Sequence, residues 1–234
     1  MGSSTLLNMR PFNVPPHFAD FRDLYPPAAD VARLSTTGGY QARLALARLW
    51  LSEGIPFAFR QNPALYEQIR CWLASRLSID PKEITIIGSA RLGQSLSSDR
   101  FGAPFSERSD LDFTTISAVL FERLTSDFNA WAFEYESRSI TPNNGRERHF
   151  WDDNLTRGPD IIGRGFVDSK LIPLREPYKC AREIGQAMYL LVEKLKATPG
   201  GPKVRRADIR AYRSWDAFAR QMALSLSSLR SGAA

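Results

Sequence analysis

Cysteine is scarce. Only Cys71 and Cys180 occur among 234 residues, far apart, with no CxxC pair and no histidine cluster beside them. That argues against a disulfide framework and a cysteine-based zinc site, and it suits a reducing cytoplasm. Each cysteine is expected to pack as a small apolar side chain rather than to act as a nucleophile. Histidine is equally rare: His17 and His149 are the two present. His149, beside Phe150 and Trp151, has no partner histidine nearby and reads as a structural or surface residue. No segment reaches the roughly 18 uninterrupted apolar residues of a membrane helix, so no membrane association is expected. Residues 1–16 lack the apolar run of a signal peptide. Position 6 is Leu, where a myristoylation signal starting at Gly2 requires Ser or Thr. No internal repeat or low-complexity tract is found.

What is present is ordinary for a globular protein: 43% hydrophobic and 24% charged residues. A chain of this length buries most of its apolar surface without covalent or metal staples. The formal net charge of +6 suits a protein that handles polyanions such as nucleoside triphosphates or RNA.

Residues 1–38 are rich in Pro, Ser, Thr and Gly and are expected to form an arm with no regular pattern. Residues 39–175 read as a core domain and 176–234 as a C-terminal helical part packed on it. Helices are expected over Tyr40–Glu53, from Asn62-Pro63 through Leu77, over Ser117–Ser137, over Pro177–Lys196 and over Ser214–Leu229. Strands are expected at Glu83–Ile87, Leu111–Ile116 and Gly165–Pro173, with Val204–Tyr212 as an edge strand. A helix is expected to begin within Ala90–Leu96. Ser97–Ser109 reads as a loop and Arg146–Arg164 as irregular.

Asp110-Leu111-Asp112-Phe113 is the most informative segment. Residues two apart on a strand share a face, so the two carboxylates project together while Leu111 and Phe113 face the core. Paired carboxylates repel unless a cation neutralises them. Hard oxygen donors at this spacing suit magnesium or manganese, which in turn hold phosphates. The alternative is a solvent-facing edge strand, although Asp is depleted in strands. One strand earlier, Glu83–Ile87 runs into Gly88-Ser89. Glycine there lets backbone amides approach an anion, and a serine hydroxyl at a helix start can donate to a phosphate oxygen. Arg91 adds a positive charge close by in sequence. The alternative is a turn that merely needs glycine.

Together these residues resemble the nucleotidyltransferase superfamily that includes DNA polymerase β. Its pattern is a strand, a Gly-Ser loop, a helix and a strand carrying two aspartates separated by one residue. Here it reads Ile86-Ile87-Gly88-Ser89, then Ser109-Asp110-Leu111-Asp112-Phe113, and the likeness covers roughly residues 82–115. The gap from Ser89 to Asp110 is longer than in minimal members, which implies an extra loop over the site.

The resemblance implies an α/β (α+β) fold: a small mixed sheet with packed helices. It also implies metal-dependent transfer of a nucleotide from an NTP to an acceptor hydroxyl, with Mg2+ or Mn2+ as cofactor. Asp110 and Asp112 would hold the metals, and Gly88, Ser89, Arg91 and Ser109 would contact the nucleotide. A third carboxylate from a neighbouring strand is implied too, with Asp168 the first candidate and Asp152, Asp153 and Asp160 its rivals. Asp168 would also help to remove the hydroxyl proton, and Lys170, expected on the same strand face, would reach the triphosphate or neutralise Asp168. Acceptors in the family include proteins, RNA ends and small molecules. Some members make oligonucleotide second messengers in bacterial antiviral defence. Two alternatives stand beside this: a non-catalytic regulator such as an antitoxin, and an RNA-binding protein using the basic stretch Lys203–Arg213.

Overall fold

Alternating apolar residues and well-placed caps set the elements of this chain. A computed structural model describes residues 13–19 and 21–229. The first part of the expected arm, residues 1–12 with Gly2 and Leu6, lies outside the described residues. The helices are α1 (Ala28–Thr37), α2 (Gly39–Leu49), α3 (Pro63–Leu77), α4 (Ser89–Leu92), α5 (Ala118–Glu136), α6 (Gly145–Gly163), α7 (Lys179–Ala197) and α8 (Trp215–Ser227). The strands are β1 (Ile84–Ile87), β2 (Asp110–Ile116), β3 (Phe166–Asp168) and β4 (Arg206–Tyr212). They form one mixed sheet in the order β1-β2-β4-β3. β1 and β2 are antiparallel, β2 and β4 parallel, and β4 and β3 antiparallel. The α/β expectation holds.

Side-chain caps start several helices. Asn62 accepts from Leu65 N–H, Ser117 from Leu120 N–H and Ser214 from Ala217 N–H. Each satisfies an amide that the helix itself leaves free.

The sheet separates two apolar regions. Leu111 and Phe113 of β2 and Ala207, Ile209 and Ala211 of β4 face a core shared with α3, α5, α6 and α7, where Leu73, Trp131, Trp151 and Ile184 are buried. On the opposite face, Ile116, Phe166 and Tyr212 pack against Ala217 and Phe218 of α8. A third cluster joins α1, α2 and α8 through Val31, Leu34, Leu46 and Leu226. α8 therefore covers the Ile116–Tyr212 end of this second face, away from Asp110 and Asp112.

Five expectations are corrected. The arm is not patternless: α1 lies within it, and Ser35 and Leu34 are buried. Residues 146–164 are helical. Asn144 caps α6, and Asp153–Arg157 and Asp160–Arg164 pair along it one turn apart. Gly158 is a packing residue, because a Cβ there would lie 2.0 Å from Phe128 Cζ of α5. The helix after Gly88 is a single turn, α4, ended by Gly93 in the left-handed region. The strand at Gly165–Pro173 is short. It stops at Asp168, whose carboxylate caps a 3-10 turn (Ser169–Leu171) by accepting from Lys170 N–H at 3.1 Å. Finally, β4 is an internal strand, so the part after residue 176 completes the sheet rather than packing on it as a helical addition.

Candidate metal centre

β2 and β4 run side by side in register, with Asp112 opposite Asp208 and Asp110 opposite Arg206. The alternation of a strand places Asp110, Asp112 and Asp208 on one face, opposite the core-facing Leu111, Ala207 and Ile209. One carboxylate oxygen from each of the three lies within 4.8 Å of the others. The third carboxylate of the cluster is thus Asp208, not Asp168.

Three cations stand against the three carboxylates. Arg205 grips Asp110 through two contacts, Nε to Oδ1 and Nη2 to Oδ2, both at 3.0 Å. Arg206 Nε donates to Asp110 at 2.9 Å and approaches Asp208 at 3.2 Å. Lys170 Nζ donates to Asp208 Oδ2 at 2.5 Å. Burial raises the pKa of Asp110, but the bonds and charges of Arg205 and Arg206 outweigh it and hold the group below the ordinary carboxylate value. Asp112 has less help, from the charges of Lys170 and Arg210 at a distance. It makes no hydrogen bond or ion pair with any described residue. Burial, then the nearby charges of Asp110 and Asp208, push it from 3.8 up to about 6.

The loop before α4 closes the cluster from the β1 side. Ile87 pairs with Asp112, so Gly88 arrives beside that carboxylate. Gly88 has φ +71° and ψ −152°, a conformation open essentially to glycine alone, and a Cβ there would lie 3.1 Å from Asp112 Oδ2. Ser89 follows as the first residue of α4, and its hydroxyl makes no hydrogen bond to a described residue. Ser109 is buried, and its Oγ accepts from Ser106 N–H at 3.1 Å. Its carbonyl accepts from Arg205 N–H at 2.9 Å and ties the start of β2 to β4.

Two expected site residues lie elsewhere. Arg91 sends its guanidinium to Ile55 O at 2.8 Å and over the Tyr25 ring, away from the carboxylates in its contacts. Asp168 pairs with Arg210 at 3.2 Å, its register partner on β4, and caps the turn that follows. Lys170 does reach the cluster. It does so from the 3-10 turn rather than from a strand, and its partner is Asp208. The rivals on α6 are also occupied: Asp152 accepts from the Tyr135 hydroxyl, Asp153 pairs with Arg157 and Asp160 with Arg164. His149 is an exposed residue of α6.

Next to the cluster lies a cavity of about 670 Å³ whose lining includes Lys170, Arg205, Arg206 and Asp208. Its lining also includes Phe150 and Tyr189, which are 53% and 66% exposed. Charged and apolar groups thus share one opening at the carboxylates. None of the residues from Gln94 to Arg108 lines it, so the long insertion does not wall this cavity. The insertion folds on itself through a bridge between Gln94 and Pro104, and Gln94 Oε1 accepts from Ala28 N–H at the start of α1.

Among the described residues, no helix is long and apolar enough to cross a membrane. Comparison of the chain with protein-family models, curated proteins and solved structures gives no match.

Proposed function

We propose that the chain is a metal-dependent nucleotidyltransferase that moves a nucleotide from an NTP to an acceptor hydroxyl. The observation that carries this reading is Asp112, a half-buried carboxylate with no hydrogen bond or ion pair to a described residue, facing Asp110 and Asp208 beside a glycine whose Cβ would crowd it. An arrangement of this kind is costly for the protein alone and suits a divalent cation. The donor set is all carboxylate oxygen, which fits Mg2+ or Mn2+ rather than a softer metal.

In this reading Asp110, Asp112 and Asp208 hold the metal ions. When bound, these ions supply charge neutralisation at the reacting phosphate and lower the pKa of the acceptor hydroxyl. Gly88 and Ser89 present backbone amides and a free hydroxyl to the β- and γ-phosphates. The acceptor oxygen attacks the α-phosphorus as the bond to the β-phosphate oxygen breaks. Pyrophosphate leaves, and the hydroxyl proton passes to the carboxylate cluster. Lys170, Arg205 and Arg206 give up their carboxylate contacts and turn to phosphate oxygens. Phe150 and Tyr189 offer faces on which a base can stack.

The test is incubation with each labelled NTP and Mg2+ or Mn2+, with and without cellular RNA and protein. Pyrophosphate release and a labelled product are scored, and Asp112→Asn is the control. Label transfer that needs Asp112 and divalent metal supports the reading. Absence of pyrophosphate release with every NTP, metal and acceptor fraction overturns it. RNA binding that persists in EDTA without any transfer favours the RNA-binding alternative, which the exposed Arg205 and Arg206 would serve.

A further inference from the structure

Arg91 is 4% exposed, yet no carboxylate of the described residues pairs with it. Nη1 donates to Ile55 O at 2.8 Å. Nε is buried without a partner, and Nη2 makes no hydrogen bond to a described residue. The Tyr25 ring lies 5.8 Å from the guanidinium carbon, and the Tyr25 hydroxyl shares the same carbonyl at 3.0 Å. A guanidinium stays charged at any ordinary pH, and a buried charge without a counter-charge is costly.

This side chain lines a cavity of about 480 Å³. Two further cations, Arg22 and Arg60, stand at its edge, and both are exposed. Glu53 is the one carboxylate in the lining, and it forms no ion pair with any of the three arginines. Leu24, Leu49 and Ile55 also line the cavity and are 72%, 49% and 38% exposed. Apolar side chains are thus left open to solvent around a buried guanidinium that has the charge of Glu53 nearby but no ion pair with any described residue. None of the three clustered aspartates borders this space.

We propose that this cavity is a second binding site, taking a small phosphate-bearing molecule. Its anionic group meets Arg91, Arg22 and Arg60, and its apolar or planar body lies on Leu24, Leu49 and Ile55. Arg22 also donates to Ala19 O and Arg60 to Phe57 O, which leaves each with further N–H groups to offer. Three guanidinium groups lining one cavity match a dianion with several acceptor oxygens better than a single carboxylate. The site also has a short route to the metal centre. Arg91 belongs to the single turn α4, and its N–H is bonded to Gly88 O at 3.1 Å. An anion that fixes Arg91 therefore steadies the turn that carries Gly88 and Ser89.

The test needs no activity and no metal. The full chain is melted in EDTA with AMP, inorganic phosphate, adenosine or benzoate, and binding is measured in parallel by calorimetry. AMP should raise the melting temperature by about 5–10 °C at a hundred times its Kd. Phosphate should raise it less, and adenosine should leave it unchanged. Arg91→Met should lose the AMP response, as should the double variant Arg22→Ser, Arg60→Ser, which alters only exposed side chains and decides the matter if Arg91→Met does not fold. Asp112→Asn should keep the response, because the site is separate from the carboxylates. Three results overturn the proposal: no response to AMP or phosphate, a response that survives the double variant, or one lost in Asp112→Asn. A larger response to benzoate than to AMP overturns the phosphate assignment. Failure here leaves nucleotidyl transfer standing, and failure of nucleotidyl transfer leaves this metal-free response standing.

Discussion

Replacing Asp112 with Asn removes a charge and keeps the shape. In the metal-free fold Asp112 is pushed from 3.8 to about 6, first by burial and then by Asp110 and Asp208. That displacement corresponds to about 3 kcal/mol of preference for the protonated form. Between these two pH values the folded state holds a proton that the unfolded state has released, so stability falls as pH rises through the interval. Below 3.8 both states are protonated and the cost is absent; above about 6 it is present in full. Asn never ionises. At pH 8 in EDTA, Asp112→Asn should therefore be more stable than the parent by about 1–3 kcal/mol, the upper end requiring that the amide be well accommodated. This is a rise of roughly 3–10 °C in melting temperature for a chain of this size. At pH 4 the two proteins should melt nearly together. Adding Mg2+ or Mn2+ at pH 8 should reverse the order, because the parent gains by ligand linkage and the variant does not. The assay is scanning calorimetry or dye melting across pH, with and without metal. A variant that melts below the parent at pH 8 in EDTA would show that Asp112 is not held at a cost, and the argument for a cation site would lose its physical basis.

The remaining predictions concern the neighbours. Asp208→Asn should fold, lose the melting response to Mg2+ or Mn2+ and lose nucleotide transfer; a normal metal response would remove Asp208 from the site. Asp168→Asn should keep the metal response and lower stability by about 1 kcal/mol, the worth of a partly exposed pair with Arg210, checked by melting in EDTA. Gly88→Val must hold a branched side chain in a conformation that costs about 1–3 kcal/mol and must crowd Asp112. NTP affinity in the presence of metal should fall at least tenfold by calorimetry, and unchanged affinity in a folded variant would reduce the loop to a turn. Gly158→Ala drives a methyl into the Phe128 ring and should cost about 1–3 kcal/mol. Part of that loss should return in the double variant Gly158→Ala, Phe128→Leu, as read from urea melts.

Much of the architecture was legible because local chemistry agrees with it. Asn62-Pro63 announces the start of α3, Ser117 that of α5 and Ser214 that of α8. The alternation around Asp110 and Asp112 sets the site face of β2. Asp208 was missed for an identifiable reason. Ala207-Asp208-Ile209-Arg210-Ala211 alternates as cleanly as β2 does, but the arginines around it suggest a solvated edge. Charge on an internal strand becomes affordable only when the partner strand supplies the opposite sign, here Asp110 for Arg206 and Asp168 for Arg210. That pairing depends on register across the sheet, which no local window contains. Asp168 is the opposite case: an acid in a hydrophobic run signals a partner, and the sequence alone does not say which. Arg91 was misplaced because closeness along the chain to Gly88 does not fix direction, and a one-turn helix sends its third residue to the far side.

The placement of β4 between β2 and β3 has a bearing on how the chain folds. Asp112 and Asp208 are direct neighbours in the sheet, yet α5, α6, β3 and α7 are all traversed between them. Parallel pairing across such a distance is slow to form, because the closing entropy comes before the contacts that reward it. During synthesis β1 and β2 can pair as soon as both have emerged. β3 must wait for β4, since among the described residues β4 is its only partner strand in the sheet. The carboxylate cluster is therefore complete only once β4 has paired with β2. A shortened chain that ends before Asp208 would carry the Asp110–Asp112 pair without its third carboxylate, and would expose the inner edges of β2 and β3 to pairing with other chains.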